Sequence, residues 1–206
     1  LIIHCAALSR TGQCELDPER AWALNLSAST HLAELAHEIP FYFFSTDLVF
    51  DGKKGAYREE DPKNPQGVYA ETKWAAEQEI VQNSGHTIIR TTLTGGTSPR
   101  GNRGFDEELI ATWRKGKTAR LFIDEFRTPI MADVTARATW ELVQKKATGT
   151  YHLAGNERLT RRDAGQLLAD LYAHLEPKIE PISIEDFTGS PRPGDTSLNC
   201  DKIQSL

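Results

Sequence analysis

The chain has 206 residues, of which 39% are apolar and 26% are charged, a balance typical of a globular protein rather than a disordered one. Its 24 basic and 29 acidic residues give a formal net charge of −5, which argues against a nucleic-acid-binding protein because phosphate backbones are bound by basic surfaces. No apolar run is long enough to span a membrane. Three cysteines without a CxxC pair favour reduced thiols in a cytoplasmic protein, and the histidines show no metal-binding spacing.

Apolar runs and amphipathic segments alternate along the chain. Residues 1–7 are predicted to form a buried strand, and Asp17 and Pro18 begin a helix that extends to about His37. Further strands are predicted at 41–45, 86–91, 120–123, 150–154 and, weakly, 182–184; further helices at 67–82, 105–115, 133–145 and 160–174; and a loose loop at 95–104. This alternation predicts an α/β fold with a doubly wound parallel sheet of the Rossmann type, which binds ligands where its strands end.

Tyr69 and Lys73 are four residues apart in a predicted helix, so they share one face with their Cβ atoms roughly 5–6 Å apart. A neighbouring ammonium favours a phenolate, and we therefore expect the pKa of Tyr69 to fall from about 10 toward neutrality. Such a phenol can exchange a proton with a carbonyl or alcohol oxygen. An ordinary amphipathic helix with a surface lysine has the same spacing.

Ser45, Thr46 and Asp47 directly follow the predicted strand at 41–45. A hydroxyl at that position can bind the same substrate oxygen that Tyr69 protonates, although such residues also commonly close a strand as a turn. Because both features follow successive elements at one sheet edge, we expect Thr46 and Tyr69 to converge.

Several segments together resemble one family. They are STDLVFDG at 45–52, YREEDP at 57–62, YAETK at 69–73 and RPGDTSL at 192–198. In this order they are similar to the dTDP-4-dehydrorhamnose reductases, which are extended short-chain dehydrogenases/reductases, and the resemblance covers essentially the whole chain. It implies reduction of a 4-keto nucleotide sugar by NADPH or NADH in polysaccharide biosynthesis.

The resemblance also implies roles for individual residues. Tyr69 would protonate the keto oxygen, Thr46 would hold it, and Lys73 would bind the nicotinamide ribose. The cofactor would further contact Ala6, Ala7, Thr91 and Thr92. The predicted substrate-binding residues are Asp47, Phe50, Arg100, Arg103 and Asp195, of which the two arginines suit a diphosphate or, equally, a solvated loop.

The chain departs from the family pattern in three places. The Gly-rich turn that binds pyrophosphate is absent, so we expect an N-terminally incomplete Rossmann domain. Leu48 and Leu93 stand where the family usually has aromatic residues, which puts the specificity for the rhamnose precursor in question. The expected division is a cofactor-binding part at 1–95 and 131–155 and a small discontinuous substrate-binding part at 96–130 and 156–206.

Two other functions remain open on the sequence. One is a non-catalytic binding subunit. The chain also resembles the regulatory β subunit of methionine adenosyltransferase, which shares these motifs, including a Tyr-x-x-x-Lys. The other is a nucleotide-sugar epimerase or dehydratase of the same superfamily. A homodimer is compatible with each of these.

Overall fold

A computed structural model describes all 206 residues, and it has ten strands and eight α-helices. The strands are β1 (Ile2–His4), β2 (Phe41–Thr46), β3 (Thr87–Thr91), β4 (Thr94–Gly95), β5 (Thr118–Phe122), β6 (Phe126–Arg127), β7 (Ile130–Met131), β8 (Gly149–His152), β9 (Leu159–Thr160) and β10 (Lys178–Ile182). The helices are α1 (Thr11–Leu16), α2 (Pro18–Trp22), α3 (Ala28–Leu35), α4 (Val68–Ile80), α5 (Phe105–Arg114), α6 (Ala132–Gln144), α7 (Arg161–Leu171) and α8 (Asp201–Gln204). None of these helices has the length and apolar character needed to cross a bilayer.

The main sheet contains four parallel strands in the order β1-β2-β3-β8. Alternate residues of β2 point to opposite faces, as the strand period of two requires. Phe41 and Phe43 pack against α3 and α4, while Tyr42 packs with Leu142 of α6 on the other face. The prediction of an α/β fold with a parallel sheet is confirmed.

The predicted helix from Asp17 to His37 forms with one irregularity. Asp17 Oδ1 accepts a hydrogen bond from the backbone N of Arg20 at 3.1 Å, as an N-cap does. A π-helical turn at Ala23–Ser27 then separates α2 from α3. Asn25 in this turn is fully buried and bonds both to the backbone of Leu8 and to Thr72. It therefore ties the segment after β1 to α4.

A smaller unit packs beside the sheet. In it β5 pairs with β10 in parallel, and α5 and α7 cover these strands through a cluster that includes Leu109, Trp113 and Leu121. The weak strand expected at 182–184 instead lies at Lys178–Ile182. The two-residue strands β4, β6, β7 and β9 were not predicted, and Gly95, expected in a loose loop, pairs with Met131.

A buried ion pair joins α4 to β3. Glu77 accepts from Arg90 Nη2 at 2.7 Å and from its Nε at 3.1 Å, and both side chains have at most 3% of their surface exposed. Removal of one partner leaves the other charge buried and unpaired. This pair therefore contributes to fixing α4, which carries Tyr69 and Lys73, against the sheet.

Glu77→Gln is predicted to lower the free energy of unfolding by about 3 kcal/mol, because it leaves the guanidinium of Arg90 without its buried counter-charge. Urea unfolding measures this change. Glu79→Gln, on the exposed face of the same helix, should change it by less than about 0.5 kcal/mol. Equal effects of the two substitutions would contradict the role given to the pair.

Candidate active site

A cavity of about 1330 Å³ opens at the carboxyl ends of β1, β2 and β3. Thr46 ends β2, while Tyr69 and Lys73 lie one turn apart on α4, and all three side chains line this cavity. The sequence-based expectation that they converge agrees with this placement. Leu48 and Leu93, which replace aromatic residues of the family, line it as well.

Thr46 is buried and its hydroxyl has a defined set of partners. Its Oγ1 donates to Asp47 Oδ1 at 3.1 Å and accepts from the backbone N of Leu48 at 3.2 Å. It also lies near enough to the phenol of Tyr69 to lower the pKa of that phenol. Thr46 and Tyr69 thus line the same part of the cavity wall.

The pKa of Tyr69 does not follow the sequence-based expectation. Burial raises the pKa of Tyr69 to about 12, and the charge of Asp47 adds to that increase, whereas the nearby hydroxyl of Thr46 opposes it. The expected fall toward neutrality is therefore wrong for this environment. The phenol is protonated at neutral pH and can serve as a proton donor.

Lys73 is 2% exposed, and its Nζ lies 3.8 Å from the centroid of the Phe43 ring. It forms neither an ion pair nor a hydrogen bond. Burial lowers the pKa of Lys73 to about 7, although Glu77 opposes this change. A buried ammonium that faces a cavity without a partner is a donor available to a ligand.

The other predicted cofactor-binding residues differ in their placement. Ala7 lines the cavity, but Ala6 does not. Thr91 Oγ1 is buried without a hydrogen-bond partner, as is Ser45 Oγ, and both residues line the cavity. Thr92 Oγ1 instead donates to Asp47 Oδ2 at 2.7 Å, so its hydroxyl is already engaged within the protein.

A chain of buried ion pairs crosses from β2 to the smaller unit. Asp47 Oδ2 accepts from Arg127 Nη1 at 2.7 Å, and Arg127 Nη2 donates to Glu125 at 3.0 Å. Glu125 has no exposed surface and also binds Arg161 at 3.0 Å and Arg192 at 3.2 Å. Burial alone would raise the pKa of Glu125, but the three guanidinium groups lower it to about 2.

Sequence analysis did not assign functional roles to Arg127, Arg161 and Arg192, which all line the cavity. Arg192 Nε is buried without a partner. The local signals were the pair Glu125 and Arg127, two charges at the spacing of one strand face, and Arg192 at the start of the RPGDTSL motif. The remaining contacts join residues that are far apart in the chain.

Three predicted substrate-binding residues lie outside this cavity. Phe50 has no exposed surface and stacks on Tyr57 with ring centroids 4.3 Å apart, so it belongs to the core. Asp195 binds Arg158 at 2.7 Å. Arg100 lines a separate, smaller pocket.

Two predicted substrate-binding residues do line the cavity. Arg103 is one of them. Asp47 is the other, but its carboxylate is fully occupied by protein donors: Thr46 at 3.1 Å, Thr92 and Arg127 at 2.7 Å, and Thr196 at 3.1 Å. It therefore holds other side chains in place.

Comparison with known proteins shows which family the chain belongs to. The family model of the RmlD substrate binding domain matches residues 1–206. The chain belongs to this family. Membership agrees with the resemblance identified from its motifs.

Two relatives of this RmlD-family chain differ in the function that their names describe. It is 30% identical to methionine adenosyltransferase 2 subunit beta from Bos taurus, across the whole chain and 64% of that protein. It is 33% identical to the probable low-salt glycan biosynthesis reductase of Haloferax volcanii, across 91% of the chain and 64% of that protein. The chain thus spans just under two thirds of these relatives.

Solved structures share the fold. A hypothetical dTDP-4-dehydrorhamnose reductase from Sulfolobus tokodaii superposes with a TM-score of 0.89 at 30% identity and is covered to 73%. The dTDP-4-dehydrorhamnose reductase from Bacillus anthracis, solved in complex with NADP, superposes with a TM-score of 0.91 at 22% identity and is also covered to 73%.

The pKa of Glu125 predicts how stability depends on pH. Its value of about 2 lies below the ordinary 4.5, so the unfolded chain binds this proton more tightly than the folded one. The stabilisation is complete above about pH 4.5 and is lost as the pH falls toward about 2. Urea unfolding between these limits should show a shallower loss of stability in Glu125→Gln than in the wild type, and parallel curves would contradict the assignment.

Proposed function

We propose that the protein is an NADPH- or NADH-dependent reductase of a 4-keto nucleotide sugar such as dTDP-4-dehydro-6-deoxy-L-mannose. The observation that carries this proposal is the convergence of Thr46, Tyr69 and Lys73 in a cavity that several arginines also line. Acid–base groups and cations in one cavity match a substrate with a carbonyl group and a diphosphate.

The residues around Lys73 fit a nicotinamide nucleotide. The unpartnered ammonium of Lys73 faces the cavity, and Ser45 and Thr91, whose hydroxyl oxygens are buried without a hydrogen-bond partner, line it. Ribose hydroxyls would accept hydrogen bonds from this ammonium, and in this role Lys73 holds the cofactor while Thr91 lines its site. The bound nicotinamide supplies the hydride, and the protein supplies orientation and the proton.

Tyr69 then acts as the general acid. Its protonated phenol donates to the keto oxygen as that oxygen gains electron density, and Thr46 holds the oxygen by a hydrogen bond. An alkoxide is a stronger base than a phenolate, so the proton transfer is downhill even with a pKa of Tyr69 of about 12. The adjacent Lys73 stabilises the phenolate that remains.

Arg161 and Arg192 bind the diphosphate in this proposal. Each uses one nitrogen on Glu125, which leaves further donors for a ligand. Residues 96–130 and 156–206 accordingly form the substrate-binding part, and residues 1–95 and 131–155 hold the cofactor. Because Leu48 and Leu93 are aliphatic, the cavity is wider beside the sugar and has no aromatic ring there for the sugar to stack on.

A second candidate is a non-catalytic subunit of a methionine adenosyltransferase. The 30% identity to the bovine subunit beta across the whole chain favours it. Net consumption of NADPH with a dTDP-4-keto sugar separates the two functions, because a binding subunit shows none. Net consumption also distinguishes a reductase from an epimerase, which returns the hydride to the sugar.

In the full-length protein, Tyr69→Phe is predicted to lower kcat at least about 100-fold, because it removes the general acid. NADPH absorbance with the dTDP-4-keto sugar measures turnover. Tyr172→Phe, a tyrosine outside the cavity, is the matched control and should retain full activity. Unchanged turnover in the Tyr69 variant would overturn the assignment of the proton donor.

Arg192→Gln is predicted to raise KM for the nucleotide sugar roughly 10- to 100-fold with kcat changed less than about threefold, because a charge-assisted hydrogen bond to the diphosphate is lost. Arg162→Gln, an exposed neighbour that pairs with Asp163, controls for the loss of one charge. A reduced kcat at unchanged KM would place Arg192 at the reacting carbonyl instead.

A further inference from the structure

A second pocket of about 360 Å³ lies beside the mouth of the large cavity. Four arginines line it, and no acidic residue does: Arg10, Arg20, Arg100 and Arg103. It shares Arg10 and Arg103 with the cavity, but Arg20 and Arg100 belong to the smaller pocket alone. This concentration of positive charge stands out in a chain with a net charge of −5.

Three of the four arginines of this pocket lack protein partners for their guanidinium groups. Ten of the fourteen arginines in the chain form ion pairs. Arg20, Arg100, Arg103 and Arg114 do not, and no hydrogen bond from their guanidinium groups is formed within the protein. Three of these four therefore meet at one small pocket.

Arg10 is the only one of the four with a counter-charge. It binds Glu108 at 2.8 Å and donates to the backbone O of Asn102 at 3.2 Å. The pocket consequently carries three uncompensated guanidinium groups. Guanidinium groups that repel one another are stabilised by an anion that bridges them.

The loop that carries Arg100 and Arg103 is fixed by one carboxylate. The carboxylate of Glu107 accepts two hydrogen bonds from Ser98, from the backbone N at 2.6 Å and from Oγ at 2.7 Å. It also accepts from the backbone N of Arg103 at 2.8 Å and from that of Gly104 at 3.0 Å. These bonds lower the pKa of Glu107 to about 2, so it stays charged at any physiological pH. The positions of the two arginines are thus imposed by the fold of the loop.

We propose that this pocket is a phosphate-binding site distinct from the arginines on Glu125. Its ligand is a phosphate group held by Arg20, Arg100 and Arg103, with Arg10 at the border to the large cavity. The phosphate belongs either to a molecule that extends out of the cavity or to a separate anion. This inference needs only the pocket and does not depend on the reductase function.

Calorimetric titration of the full-length protein with inorganic phosphate tests this site. The double variant Arg20→Gln with Arg100→Gln should weaken phosphate binding at least about tenfold, since two charge-assisted contacts are lost. The control Arg114→Gln with Lys117→Gln removes the same net charge from exposed positions outside the pocket. This control should bind phosphate with an affinity within about twofold of the wild-type affinity.

The same titration with dTDP present at saturation distinguishes the two sources of the phosphate. If phosphate binding is lost, the pocket binds a phosphate of a nucleotide that also occupies the large cavity. If phosphate binding is unchanged, the pocket binds a separate anion. The proposal is overturned if the wild type does not bind phosphate, or if the double variant and its control lose the same affinity. Because these titrations involve no turnover, they are independent of the Tyr69→Phe result.

Discussion

The site depends on the buried chain of charges from Asp47 through Arg127 to Glu125. Each member is costly to bury alone and is tolerated because its neighbours compensate it. Asp47 receives the hydroxyl of Thr46, and Glu125 receives Arg161 and Arg192. One electrostatic network therefore holds both Thr46 and the arginines that line the cavity.

This network also connects the two parts of the fold. Asp47 directly follows a strand of the main sheet, whereas Arg127 lies in β6, which pairs with β9 at the start of α7. In the proposed function, the separation between the reactive carbonyl and the diphosphate would thus be set by covalent and ionic links rather than by surface loops. Such rigidity lets binding energy at the diphosphate orient a distant reacting group.

The sequence was sufficient for features that depend on local spacing. The face shared by Tyr69 and Lys73 follows from the helical repeat, and the position of Thr46 follows from the end of an apolar strand. Glu125 could not be predicted as the centre of the arginine cluster, because its partners are up to 67 residues away. The pKa of Tyr69 was mispredicted because it is governed by burial and by Asp47, neither of which is evident from a helix pattern.

A crystal structure of the protein with NADP⁺ and a dTDP-sugar bound tests the central claim most directly. We expect the sugar C4 oxygen within hydrogen-bonding distance of both Tyr69 and Thr46, and the diphosphate in contact with Arg161 and Arg192. A diphosphate bound away from these arginines, or a C4 oxygen that contacts neither hydroxyl, would contradict a single site organised by the Asp47–Arg127–Glu125 chain.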